Sequence, residues 1–171
     1  MGMDVIGKNP ASETGEYFRN NVWAWRPLWN YCSEVAPDLL ASINGHYNDG
    51  EGLNGRSARD LAERLDTEVT SGRTAVYEQA YNDRLATLPR HDCEWCGGTG
   101  IRDDKVGVEN GFPTRELSVE VAAIVGRTTG WCNGCHGEGL CDHPDTSYGF
   151  WTDNVVQFAA FLRDCGGFEI W

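Results

Sequence analysis

Two copies of one eight-residue pattern constrain this chain more than any other feature of it. Residues 93–100 read C-E-W-C-G-G-T-G and residues 132–139 read C-N-G-C-H-G-E-G, so each copy fits C-x-x-C-x-G-x-G. The x-x spacing lets both sulfurs of a pair turn toward one ion, and two pairs supply the four thiolates that a tetrahedral zinc takes. Cys93, Cys96, Cys132 and Cys135 are therefore the predicted metal ligands, and one structural zinc is the predicted cofactor. The glycines allow tight backbone, often at positive φ, so that main-chain N–H groups can point at the sulfurs. A C-x-x-C pair can instead be a thiol–disulfide active site when one sulfur opens a helix. Here both pairs lead into glycine-rich turns and a second pair completes a shell, which favours metal. Four cysteine ligands leave no open position for water, which argues against metal-assisted hydrolysis.

Cys93–Gly100 and Cys132–Gly139 resemble the repeat of the DnaJ-type cysteine-rich zinc domain at every fixed position. That domain carries four repeats and two zincs, so this chain is similar to a half-domain with one zinc. The resemblance implies a zinc-stabilised surface that binds protein. It does not extend to a J domain, since His143-Pro144-Asp145 follows the repeats and lacks the expected helical pair. The chaperone-stimulating activity of the family is accordingly not implied. Three further stretches, Tyr17–Cys32, Asn48–Leu53 and Phe158–Trp171, resemble a group of bacterial and phage proteins and imply a prokaryotic or phage origin.

The other cysteines have simpler readings. Cys32 and Cys165 sit on apolar faces and are expected in the core. Cys141-Asp142-His143 follows the second pair closely and offers a replacement ligand, but the matched glycine spacing favours the other four. An odd total of seven cysteines with paired spacing fits metal better than a secreted disulfide scaffold. The N-terminal M-G-M-D-V-I-G-K-N-P has no apolar signal core and no run approaches membrane-spanning length, so a cytoplasmic protein without membrane association is expected, in the host cytosol if phage-encoded. A net charge of −12 repels phosphate backbones, so no direct nucleic-acid binding is expected, and the matching partner is a basic protein.

Along the chain, residues 1–15 read as an irregular arm. Val22–Tyr31 is aromatic-dense, with Pro27 placed to begin a helix, and Pro37 opens a short piece over 37–44. The loop Gly45–Gly55 breaks any period; Asp49 and Glu51 lack the oxygen ladder of a calcium loop. Ser57–Ser71 is the clearest helix, with Ser57 and Asp60 as its cap and Ala58, Leu61, Ala62, Leu65 and Val69 as its stripe. Arg73–Leu88 follows as its antiparallel partner. Residues 101–113 read as loop; in Leu117–Thr128 the alternation of Leu117, Val119 and Val121 fits a strand while Leu117, Val121, Ile124 and Val125 fit a helix, and β-branched content tips the segment to strand. Thr152 is placed to cap a last helix, and Phe168 and Ile170 alternate in a terminal strand.

These readings add up to a mainly α protein with a small β/zinc-ribbon insertion, an α+β class. Its predicted parts are a helical body over 1–90, a single-zinc module over 91–141, and a C-terminal helix and strand over 142–171 that pack back on the body. The expected function is non-catalytic protein binding, with Trp95 and Trp131 beside the knuckles as partner contacts. Two versions compete: an inhibitor, phage or mobile-element in type, of a basic nucleic-acid-handling host protein, and a chaperone-like assembly factor for non-native chains. The third possibility, an enzyme acting near Gly45–Gly55, requires a pocket beside Asp49 and Glu51. The Trp23, Trp25 and Trp29 group is read as core.

Overall fold

The computed structural model describes residues 2–171, and Met1 lies outside the described residues. The chain is a mixed α+β protein whose residues separate into two compact units, Met1–Ala86 with Ser147–Trp171, and Thr87–Thr146.

The first unit is built on a three-stranded antiparallel sheet of order β2-β1-β5, formed by β1 (Gly2–Gly7), β2 (Tyr17–Asn21) and β5 (Phe168–Ile170). Val5 lies opposite Phe18 on one side and Ile170 on the other. Because side chains alternate along a strand, Met3, Val5, Phe18, Phe168 and Ile170 share the buried face. Of residues 1–15, expected to be an irregular arm, Gly2–Gly7 thus form the central strand. Its two buried apolar residues, Met3 and Val5, are too few to stand out beside the exposed Ile6, and it is specified by neighbours distant in sequence.

Helices cover that face. Helix α1 (Val22–Val35) starts five residues before Pro27, because the Asn21 side chain accepts a hydrogen bond from the Ala24 amide at 2.9 Å and caps it there. Pro27 therefore lies inside the helix and is not its first residue. After α2 (Pro37–Leu40), helix α3 (Gly55–Thr70) buries Ala58, Leu61, Ala62 and Leu65, the stripe read from sequence. Its cap is Asn54, whose Oδ1 accepts from the amides of Arg56 and Ser57 at 3.0 Å, and not Ser57. Helix α4 (Arg73–Ala86) follows a turn at Gly72, and its Thr74 hydroxyl meets the Tyr31 hydroxyl at 2.9 Å in the interior. Helix α7 (Thr152–Asp164) is capped from outside itself: the Glu78 carboxylate on α4 accepts the Thr152 amide at 2.9 Å, while no side-chain cap comes from the chain's own Trp151 or Thr152.

An aromatic lattice ties these elements together. Phe158 packs on Phe18 at 5.1 Å, on Trp25 at 5.5 Å and on Phe168 at 6.1 Å, and Trp25 stacks on Trp29 at 5.5 Å. Trp25 and Trp29 are buried as expected, whereas Trp23 is 48% exposed beside Tyr148. The loop 45–54 is fastened to this lattice. The Trp25 indole donates to the Gly45 carbonyl at 2.6 Å, and residues 50–53 pair with β5 through Gly50 N to Ile170 O, Ile170 N to Glu51 O and Phe168 N to Leu53 O, each at 2.9 Å. Phe158→Ala should therefore cost about 3–5 kcal/mol by urea denaturation, against less than about 1 kcal/mol for the half-exposed Trp23→Ala. Similar costs for the two would show that the ring lattice does not carry the body.

Candidate metal centre

The second unit is organised by its two C-x-x-C turns. Strands β3 (His91–Asp92) and β4 (Leu140–Cys141) pair antiparallel, with His91 opposite Cys141 and Asp92 opposite Leu140. The ribbon joins the entry of the first turn to the exit of the second, and the Cys93 amide continues it to the Gly139 carbonyl at 2.8 Å. All four cysteines are buried, and their sulfurs lie within 4.8 Å of one another. Across the turns, Cys93 Sγ is 3.8 Å from Cys132 Sγ and Cys96 Sγ is 3.7 Å from Cys135 Sγ. A tetrahedron with metal–sulfur arms of about 2.3 Å has edges of about 3.8 Å, so the spacing fits a divalent metal held by four thiolates.

The glycines do more than admit positive φ. A Cβ on Gly139 would stand 2.2 Å from the Gly98 carbonyl oxygen, and one on Gly100 would stand 2.3 Å from that of Gly137. The fixed glycines of each repeat thus face those of the other, reciprocally, and only a bare backbone lets the turns close. The closure aims amides at sulfur: Gly100 N lies 3.2 Å from Cys96 Sγ, and Gly139 N lies 3.1 Å from Cys135 Sγ. Equivalent donors reach the first sulfur of each pair, from Trp95 to Cys93 and from Gly134 to Cys132. Such N–H groups stabilise thiolate charge.

These thiols have unequal proton affinities. Burial acts to raise the Cys93 pKa, but the Trp95 amide and the neighbouring sulfurs outweigh it and bring it down to about 7. Burial pushes Cys132 up, Cys135 up to about 12, and the adjacent Cys141 up to about 11. A metal entering at neutral pH therefore displaces thiol protons, and its binding strengthens as pH rises.

Between the turns the chain forms α5 (Lys105–Glu109), a 3-10 turn over Phe112–Thr114, and α6 (Val119–Val125). The segment expected to be strand is helical at its centre because Ser118 caps it, its hydroxyl accepting from the Val121 amide at 3.3 Å, and Gly126 ends it at φ 71°. Strand-like pairing survives only at its ends, where Leu117 N meets Thr128 O at 2.9 Å and Glu116 bridges Thr129. This excursion delivers Arg127, whose Nη2 donates to the carbonyls of both Gly100 and Gly137, at 2.9 and 2.5 Å. One guanidinium thereby clips the two turns together. Sequence reasoning missed Arg127, because an arginine after a glycine carries no local sign of its partner.

The tryptophans beside the cysteines are partly engaged. Arg102 lies over the Trp95 ring at 4.7 Å and Arg115 over Trp131 at 4.9 Å, while Trp95 also rests against Gly134. Trp95 remains 52% exposed. His136, at φ 52°, stands edge-on to Trp131 at 5.8 Å. His143 is turned to the Asp145 amide and lies outside the sulfur cluster. In the other unit, Asp49 Oδ1 accepts the Glu51 amide at 3.1 Å and Glu51 Oε2 accepts the Asn44 amide at 2.6 Å, so both carboxylates shape their loop. A cleft of about 530 Å³ does lie there, lined by Lys8, Ser42, Glu51 and Asn54 among others.

Gly100→Ala and Gly139→Ala should each weaken metal retention by more than about a hundredfold in a chelator competition, since each adds a backbone clash to an unfavourable φ. Gly97→Ala, at φ 55° with nothing within 4 Å of the new methyl, should cost only about 1–2 kcal/mol. Equal losses at all three positions would remove the reciprocal approach as the organising contact. No family model, no curated protein and no solved structure matches the chain, so its reading rests on its own geometry.

Proposed function

We propose that the chain is a non-catalytic, zinc-stabilised protein-binding protein whose Thr87–Thr146 unit carries the contact surface. The observation that supports this reading most is the closed shell: four buried sulfurs at tetrahedral spacing, each with an amide donor, complete a zinc site and leave no position for substrate. Zinc fits this donor set better than harder cations, which take oxygen. The residues holding it would be Cys93, Cys96, Cys132 and Cys135, and its role is to fix the two turns.

The surface supports a protein partner. Val119 and Ile124 on α6 are 82% and 72% exposed, and Val106, Val108 and Trp95 are also exposed. A short helix with no buried residue gains nothing for its own fold from such side chains, whereas an interface core would use them. Charge points to a basic partner. Each basic residue of the unit is already engaged: Arg90 with Glu138 and Asp142, Arg102 with Asp104, Lys105 with Glu109, Arg115 on Trp131, and Arg127 on the knuckle carbonyls. The carboxylates, ten against these five, dominate what remains, and four thiolates with one dication add −2. A basic protein that ordinarily handles nucleic acid suits this surface, which makes the chain an inhibitor of it, phage or mobile-element in type. The second reading, a chaperone-like factor holding non-native chains, is favoured by the exposed apolar α6. Salt separates them: binding to one basic target weakens steeply with salt, and binding to unfolded clients does not.

Purified chain should carry one zinc, lost with the order of the Thr87–Thr146 unit in Cys132→Ser, since structural zinc contributes on the order of 10 kcal/mol to such modules. Unchanged zinc content and melting in that variant would sink the assignment. Between pH 6 and pH 8 the apparent zinc affinity should rise by at least about tenfold per pH unit, as thiol protons are displaced. A flat profile in chelator competition would show that thiolates are not the ligands. A pull-down with Val119→Asp/Ile124→Asp beside the native chain tests the surface: retention of every partner by the variant would remove α6 from the interface.

A further inference from the structure

The sulfur cluster has a fifth member. Antiparallel pairing places His91 opposite Cys141, so Cys93, two residues beyond His91, lies diagonally across the β3–β4 ribbon from Cys141. Side chains two apart in a strand share a face, and diagonal neighbours across a pair are within reach of each other. Both sulfurs converge on one residue. The Cys141 thiol donates to the Gly134 carbonyl at 3.6 Å, and a Cβ on Gly134 would stand 3.1 Å from Cys93 Sγ. Cys141 packs against the four buried cysteines yet stays partly open to solvent. A cleft of about 260 Å³, lined by His91, Cys93, Trp95, Asn133 and Cys141 among others, opens at the same edge.

Resting on the zinc reading above, we propose that Cys141 is a reserve metal ligand that enters the shell in place of Cys93. The geometry selects that position alone, because the ribbon places Cys141 diagonal to Cys93 and seats both sulfurs at Gly134. Exchange requires no oxidant: the Cys141 thiol gives its proton to solvent as its sulfur bonds the metal, and the Cys93 sulfur leaves the metal and takes a proton. The centre would then have a side from which its metal is gained or handed on, at the cleft, and a fixed side formed by Cys96, Cys132 and Cys135.

Zinc per chain, measured by dye titration after denaturation, tests this in the full-length protein. C93S should keep its zinc, while C132S and the double variant C93S/C141S should lose it. C93S as empty as C132S would overturn the reserve-ligand role, and so would a double variant that retains zinc like C93S. A native chain without zinc would instead overturn the zinc reading on which the role rests. A second measurement avoids disturbing the four ligands. In cobalt-loaded protein, the thiolate-to-metal absorption should decay several-fold more slowly under excess chelator in C141S than in the native chain, because the incoming sulfur is gone. Equal decay rates would also overturn the proposal.

Discussion

The metal unit depends on the contact of bare backbone with bare backbone, Gly100 against Gly137 and Gly139 against Gly98. Once the turns close to that distance, the sulfur positions follow from main-chain geometry, and rotamer choice has little left to decide. The amides of Gly100 and Gly139 are carried into hydrogen bonds with Cys96 and Cys135 by the same closure. Thirty-five residues separate Cys96 from Cys132, and closing such a loop costs about 3 kcal/mol beyond a constant. A zinc bound by four thiolates contributes on the order of 10 kcal/mol, so metal outweighs closure with a margin. The intervening chain offsets part of the cost itself, through the Leu117–Thr128 pairing and the Arg127 clip.

Arg127 shows how charge and packing meet at this centre. Its guanidinium joins the carbonyls of Gly100 and Gly137, one from each turn, and so bridges them. Its Nε is buried without a partner among the described residues, and the guanidinium whose pKa the cluster helps to raise is instead that of Arg102, through Asp104 first and then Cys132 and Cys93.

What was legible in the sequence divides by the range of the interactions involved. The cysteine pairs were legible because a metal site repeats its own local spacing, and the α3 stripe because a buried helix face repeats every turn. The α+β class followed from those elements. Strand β1 was not legible: Met3 and Val5 become a central strand only through Phe18 and Ile170. Caps were misplaced by a few residues wherever two polar candidates stood close together, as with Asn54 and Ser57, and wherever the cap came from another helix, as with Glu78 for α7. The α6 segment failed for a related reason. Its β-branched content favours strand, yet Ser118 and Gly126 bracket a helix, and the capping residues outweighed the propensity of the seven residues between them.

Three stretches distant in sequence meet in the fold of the body. Tyr17–Cys32 is β2 with most of α1, Phe158–Trp171 is the end of α7 with β5, and Asn48–Leu53 is the loop that pairs with β5. They meet at one place, where Trp25, Trp29, Phe158 and Phe168 pack and where Gly50 lies against the Trp171 ring. Asp49 and Glu51, the two carboxylates of the loop, accept from the amides of Glu51 and Asn44, which helps the ten-residue irregular stretch 45–54 hold one shape. The half-exposed Trp95 and the apolar α6 belong to the other unit. The body buries its aromatic lattice and leaves Trp23, Trp151 and Trp171 half-exposed, whereas in the other unit the four buried sulfurs stand where a hydrophobic core would.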